Sequence, residues 1–329
     1  MEFMPEFNLL KPGSVDEAVT MYNQTPEAKY LAGGTDLLVN IRRGIAAPQT
    51  LVHLSGIEEI RAITRQDDGG LVIGSGLTLE ALAEDPYLQK NYPAIAEAAV
   101  VVAASTHRHV ATLGGNLCLD TRCVYYNQSE WWRESNSYCL KARGDTCHVA
   151  PSGDDCFAAF SGDVAPAIIA CDGVVEIAGS SGRRILPLEQ MYNDNGLDHL
   201  KLQGDEILVS VILPAPNGGI STYQKARVRG AIDFPLAGVA IHLKLDNAVV
   251  ENLRVALTGV NSCPLLVSGT EQFHGKPFDE PAIESLVALL PKQIQPMTST
   301  FTPPGYRRKV VANLVRSVAG RLRSSDKSG

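Results

Sequence analysis

The stretch from Thr112 to Pro166 constrains this chain more than any other. It opens on a tight glycine turn, Thr112-Leu113-Gly114-Gly115-Asn116, and closes on Gly162-Asp163-Val164-Ala165-Pro166, and the segment between them reads as neither helix nor strand. Five of the seven cysteines (Cys118, Cys123, Cys139, Cys147, Cys156) and both tryptophans (Trp131, Trp132) fall inside it. A structureless loop of about forty residues is rare in a compact domain unless a function or a cross-link holds it. The reading is a metal-cluster loop beside a cofactor site.

At 329 residues the chain exceeds one ordinary core, so two or three domains are expected. The net charge of -7 argues against a nucleic-acid partner, which would need a basic face. No apolar run reaches about 18 residues, so no membrane span is expected. Met1-Glu2-Phe3-Met4-Pro5-Glu6 has neither the basic flank nor the apolar stretch of a signal peptide. The expectation is a cytoplasmic protein, where cysteines are free thiols or metal ligands and rarely disulfides.

Ser14-Val15-Asp16-Glu17 is a capping box ahead of a first helix. Ala28 to Ala32 reads as a strand that runs into Gly33-Gly34-Thr35-Asp36 and then an amphipathic helix, Leu37 to Ile41, ending near Gly44. Strand, glycine turn and helix amino terminus together expose backbone N–H groups that can cradle a pyrophosphate. An ordinary tight turn would look the same. Val52 to Leu54 is a second short strand, and Glu58 to Thr64 a brief helix or strand. Asp67 to Gly70 is a hairpin turn into Leu71 to Gly74. Thr78 caps a helix. A buried alanine-rich helix covers Ala94 to Ala104. His107 and His109 have no further ligand close by and read as polar loop residues.

The turn at Thr112 to Asn116 repeats the chemistry of the first. Two such turns, each offering N–H groups and a threonine hydroxyl, suit a dinucleotide held at both ends. Neither matches G-x-G-x-x-G with its later acidic residue, so the dinucleotide-binding fingerprint is absent. A flavin on another α+β scaffold is the expectation.

Leu31-Ala32-Gly33-Gly34-Thr35-Asp36-Leu37-Leu38, Thr112-Leu113-Gly114-Gly115-Asn116 and Gly162-Asp163-Val164-Ala165-Pro166 resemble the flavin signatures of the FAD-binding medium subunits of molybdenum hydroxylases, the xanthine dehydrogenase and carbon monoxide dehydrogenase family. The resemblance covers essentially the whole chain, including Tyr223 to Arg227. It implies an α+β fold: a two-part FAD-binding domain over 1–218, with subdomains of about 1–57 and 58–218, then a carboxy-terminal antiparallel sheet with helices on one face over 219–329. It implies FAD contacts at both glycine turns and at Asp163, at Val102 where the family's chain passes close to the flavin, at Leu208 near the ring, and at Lys225.

Most members pass from the second glycine turn to the Asp163 motif through a short link. Here a long insertion, about 117–160, is similar to one in the medium subunits of 4-hydroxybenzoyl-CoA reductases, which carry a 4Fe-4S cluster there. That implies Cys123, Cys139, Cys147 and Cys156 as ligands. From the residues alone, the gaps of 15, 7 and 8 match neither a C-x2-C zinc pattern nor a compact ferredoxin run. Spacing says metal; the resemblance says iron and sulfur. Cys118 and His148 stay open as ligands, and so does a structural zinc loop. Trp131, Trp132, Tyr125 and Tyr126 shield the site, face a partner or, as the first choice, anchor the loop.

Ala167 to Cys171 and Val174 to Ile177 read as two buried strands, with Cys171 a core thiol. Gly204 to Val211 is a further strand, and Pro214 to Gly219 a linker. Ser221 to Val228, Leu236 to Lys244 and Leu253 to Val260 alternate as an antiparallel sheet. Helices at about Glu280 to Leu290 and Tyr306 to Arg323 cover it, with Arg307, Arg308 and Lys309 solvated or meeting a partner. Cys263 is structural.

The resemblance implies an electron-transfer subunit of an oxidoreductase, with no catalytic residue of its own. Electrons from ferredoxin would pass through the 4Fe-4S cluster to FAD, then to a small 2Fe-2S subunit and a large molybdenum-cofactor subunit, in a dimer of heterotrimers. There 4-hydroxybenzoyl-CoA would become benzoyl-CoA, a step of aromatic degradation. A subunit of an oxidising hydroxylase, a free-standing flavoenzyme and a zinc-stapled scaffold are the alternatives.

Overall fold

The computed structural model describes residues 4–326, with side chains to 324; the first three residues of the leader expectation lie outside the described residues. The amino-terminal part is a parallel three-stranded sheet of β1 (Asn8–Leu10), β2 (Ala28–Leu31) and β3 (Thr50–His53), with β3 in the centre. Ser14 caps the helix Val15–Asn23 by accepting from the Glu17 N–H, as the capping box requires. Val15, Ala18 and Val19 on that helix bury against Val52 and against Ala178, Ile207 and Val209 of the second sheet. One small core therefore joins the two subdomains.

The second sheet is wholly antiparallel, in the order β4 (Ile63–Arg65), β5 (Leu71–Gly74), β8 (Ile207–Leu213), β6 (Val174–Gly179), β7 (Gly182–Pro187). The segment Glu58 to Thr64 holds both expected forms, a single 3-10 turn at Glu58–Ile60 and then β4. The alanine-rich helix is shorter than its composition suggests. It runs Pro93–Val100 and stops before Ala103, which takes a φ of 45°. Ala167 to Cys171 is not a strand: Ala167 to Ala170 form the second half of the helix Val164–Ala170, every residue of it buried, and Cys171 caps its end. A short all-apolar run has no period to separate a buried strand from a buried helix, and Pro166 in the first turn is compatible with the helix.

The carboxy-terminal sheet runs β12 (Leu265–Leu266), β11 (Val249–Thr258), β10 (Ala237–Asp246), β9 (Ile220–Ala226), all antiparallel. Alternation sorts its two faces. Val239, Ile241, Leu243, Val255 and Leu257 pack under the helices Glu280–Leu289 and Pro304–Asp326. Tyr223, Ala240 and Ala256 belong instead to the large core with Ile95, Ala98, Ile168 and Ile169. The sheet is thus covered on both faces, the second by helices of the preceding domain. Arg307 is not solvated: it is fully buried, its Nε donating to Leu236 O at 3.2 Å and its Nη1 to Met297 O at 3.3 Å. Burial lowers it to about 10. An apolar stripe read at helical spacing gives no warning that one arginine of a basic run turns inward.

Candidate functional site

The first glycine turn is shaped by what it touches. A Cβ placed on Gly33 would lie 1.8 Å from Val110 O and 2.5 Å from its carbonyl carbon, so only glycine lets this turn rest on the backbone leading to the second one. Gly34 has a φ of +72°, in the left-handed region that glycine adopts freely. No described residue accepts from the backbone N–H groups of Gly33, Gly34, Thr35 or Asp36. Four free donors at a helix entrance suit an anionic ligand. Leu31 is buried with Ile41 and Leu51, with Leu37 and Leu38 packed against them, so these side chains support the turn from behind.

The second turn is built differently. Leu113 N–H donates to Leu77 O at 2.9 Å, Gly114 N–H to Ser75 O at 2.7 Å, and Gly115 N–H to Thr112 Oγ1 at 3.1 Å. Gly114 lies tight on Ser75, a Cβ there coming within 2.9 Å of the serine Cβ. The two turns are therefore not equivalent, because the backbone donors of the second are already used in holding its shape. Asn116 Oδ1 accepts from Val164 N–H at 3.1 Å, which closes the ends of the long stretch on each other.

At that closure Asp163 is buried and pairs with Lys225 Nζ at 2.8 Å, while Tyr223 Oη donates to the same carboxylate at 2.6 Å. Burial raises the Asp163 carboxyl even though Lys225 and Tyr223 oppose the shift. Lys225 Nζ also donates to Val101 O at 3.2 Å, and Arg108 Nη1 donates to Val102 O at 3.1 Å. Asp163, Lys225 and the Val102 segment are thus brought together. Leu208, 5% exposed on β8, sits in the same large core as Val164 and Tyr223. His107 Nδ1 and Arg122 Nε are buried without a partner among the described residues, leaving polar atoms for a ligand. His107 and His109 are not loop residues: His107 lies on the short helix Ser105–Arg108 and His109 caps its end, with Nδ1 2.8 Å from Ser105 O.

The cysteine loop is pinched at its neck by an antiparallel bridge, Arg122 to Ala159, with both bonds at 2.8 Å. Arg122 also pairs with Asp36 of the first glycine turn. Within the loop, the helix Glu130–Ser135 carries Arg133, whose guanidinium is buried and donates to Arg43 O at 3.2 Å and Gly44 O at 3.0 Å. The loop is clamped to both ends of the Leu37–Arg42 helix that follows the first turn. Of the tryptophans, Trp131 is 73% exposed and Trp132 packs against Tyr125 within the loop, so it is the unforeseen Arg133 that reaches the body of the protein.

Cys123, Cys139, Cys147 and Cys156 all line one small cavity of about 10 Å3, partly open to solvent, together with Lys141 and His148. All four are buried. Backbone N–H groups approach three of the sulfurs: Tyr125 at Cys123, Lys141 and Ala142 at Cys139, and Ala158 at Cys156. Burial pushes the Cys123 thiol up to about 12, a cost that a bound metal removes by taking the thiolate. Cys118 lies elsewhere, packed against the large core. His148 Nε2 lies 2.5 Å from Tyr138 O. Cys171 is in that same core as expected, and Cys263 packs against it. Among the described residues no three His, Cys, Asp or Glu side chains are placed to hold a single metal ion.

Comparison with known proteins covers both domains. Residues 5–216 match the FAD binding domain in molybdopterin dehydrogenase, and residues 221–322 match the CO dehydrogenase flavoprotein C-terminal domain. The chain is 31% identical over 277 residues to the aldehyde oxidoreductase FAD-binding subunit PaoB of Escherichia coli K12, covering 82% of this chain and 86% of that one. It is 27% identical over 324 residues to the putative xanthine dehydrogenase FAD-binding subunit XdhB of the same strain, covering 95% and 97%. A crystal structure of Cu,Mo-CO dehydrogenase superposes with a TM-score of 0.80 at 23% identity, over 98% of this chain and 99% of that one. The fold is shared end to end. No helix among the described residues is long and apolar enough to cross a membrane.

Proposed function

We propose, for a chain that belongs to the FAD-binding medium-subunit family of molybdenum hydroxylases, that it carries a 4Fe-4S cluster as well as FAD and feeds electrons inward to a reductase. The observation that carries this is the set of four buried cysteines on one cavity, clamped to the helix of the first glycine turn. Cys123, Cys139, Cys147 and Cys156 would hold the cluster, and backbone N–H groups at three of the sulfurs would stabilise its negative charge. Gly33 to Asp36 would bind the pyrophosphate of FAD, Thr112 to Asn116 would shape the pocket, and Asp163 with Lys225 and Val102 would border the flavin. The cluster supplies one-electron transfer and the flavin can pass one electron or two, so together they join a one-electron donor to a two-electron reaction.

The donor in this reading is reduced ferredoxin, and the acceptors are a small 2Fe-2S subunit and a large molybdenum-cofactor subunit in a cytoplasmic dimer of heterotrimers. On the large subunit two electrons and two protons would replace the phenolic C–O bond of 4-hydroxybenzoyl-CoA with C–H and release water. The relatives' names favour a second reading, a subunit of an oxidising hydroxylase in which electrons leave the molybdenum centre through FAD. The two differ in the need for the cysteine loop. In the whole complex, reduced ferredoxin should bleach the flavin and support dehydroxylation of 4-hydroxybenzoyl-CoA. A Cys139→Ser variant should keep FAD and lose both responses. Flavin reduction by ferredoxin that is untouched in that variant would remove the cluster from the path.

A further inference from the structure

Lys141 lines the cysteine cavity with its side chain only 6% exposed. Its ammonium donates to Asp120 Oδ1 at 2.6 Å, Thr121 Oγ1 at 2.5 Å and Gly196 O at 2.7 Å, which uses all three of its protons and fixes it in place. The Tyr126 ring lies beneath it, 4.8 Å from Nζ to the ring centre. Among the residues lining the cavity, Lys141 is the one with a fixed charge. Its counter-ion, Asp120, does not line the cavity and is 30% exposed. Solvent therefore weakens the anion more than the cation as seen from the thiols.

We propose that Lys141 is a built-in counter-charge for the cysteine cavity, raising the reduction potential of the iron-sulfur group above what four thiolates alone would set. This rests on the cluster reading above. Each electron added to such a group adds one negative charge beside the buried ammonium. The attraction grows on reduction, and in a poorly solvated site it is large enough to shift the equilibrium. A higher potential keeps the centre within reach of its donor without bringing in water. The geometry also ties the tuning group to the frame, since Thr121 and Asp120 stand at the neck of the loop.

The test uses the whole complex purified without oxygen, with iron and acid-labile sulfide measured before anything else. A wild-type protein without a cluster overturns the cluster reading and this inference together; a loaded one confines the question to Lys141. The midpoint potential then comes from an EPR-monitored redox titration. Lys141→Met, which keeps most of the side-chain volume, should shift the potential to more negative values, and Lys141→Arg should stay near wild type. Asp120→Asn, which keeps an oxygen for the ammonium but removes the opposing charge, should shift it to more positive values. Full iron and an unchanged potential in Lys141→Met would overturn the proposal. Should that variant lose its iron, Asp120→Asn decides: a positive shift supports the counter-charge and an unchanged potential refutes it.

Discussion

Asp163 and Lys225 form an ion pair at 2.8 Å with side chains 4% and 2% exposed, joining the end of the cysteine-bearing stretch to the first strand of the carboxy-terminal sheet. The pair is the point where the two domains meet beside the Val102 segment. Removing one partner of a buried pair leaves the other charge without compensation. Lys225→Met should therefore lower stability by about 3–5 kcal/mol, measured by urea unfolding of the isolated subunit. Adding Asp163→Asn to it should recover part of the loss. If the single variant is as stable as wild type, the pair is not what holds the two domains at this point.

Gly33→Ala should release FAD while leaving iron in place. A single methyl would lie 1.8 Å from Val110 O, and that neighbour is backbone, so the turn itself must move. Its four free N–H donors would move with it. Flavin and iron content of the purified variant check this, and a full complement of FAD would place the pyrophosphate elsewhere.

Much of the site was legible because its parts have local signatures. Strand, Gly33-Gly34 and helix follow one another within a dozen or so residues, and the capping side chains of Ser14 and Thr78 accept the N–H bonds their spacing implies, whereas the Thr112 hydroxyl, expected to serve a ligand, caps Gly115 instead. The four cysteines share a cavity although their spacing matched no compact motif. What stayed hidden was long-range. Nothing around Arg122, Arg133 or Lys141 marks their side chains as largely withdrawn from solvent, because each is held by residues far away in sequence. The inequality of the two glycine turns was also out of reach, since Ser75 and Leu77 are what occupy the second.

Asp36 and Arg122 link the first glycine turn to the neck of the loop, and neither side chain is fully exposed. Asp36→Asn and Arg122→Met should each weaken FAD binding, and the double variant should cost less than the sum. A coupling of about 1 kcal/mol is expected from a double-mutant cycle on the FAD dissociation constant. Strict additivity would mean that loop and turn act separately.

His199 is buried beside Asp120 and Lys141, and its Nε2 donates to Leu119 O at 2.9 Å. Burial, with the Lys141 charge adding to it, lowers its pKa from 6.5. The unfolded chain therefore takes up the proton first. The stability this neutral histidine contributes is present above about pH 6.5 and is lost as pH falls through the depressed folded value. Thermal melts between pH 7.5 and 5.5 should show a decline that His199→Gln makes shallower. Equal slopes in the two proteins would assign the decline to other groups.

In the proposed reading one chain holds both FAD and a cluster of four irons. It is tested most directly by the iron, acid-labile sulfide, zinc and flavin content of this subunit, purified without oxygen and separated from its partners. About four irons, matching sulfide and one FAD per chain is the predicted result. Flavin accompanied by zinc, or by no metal, would leave the flavin fold standing and contradict both the cluster and the reductase built on it.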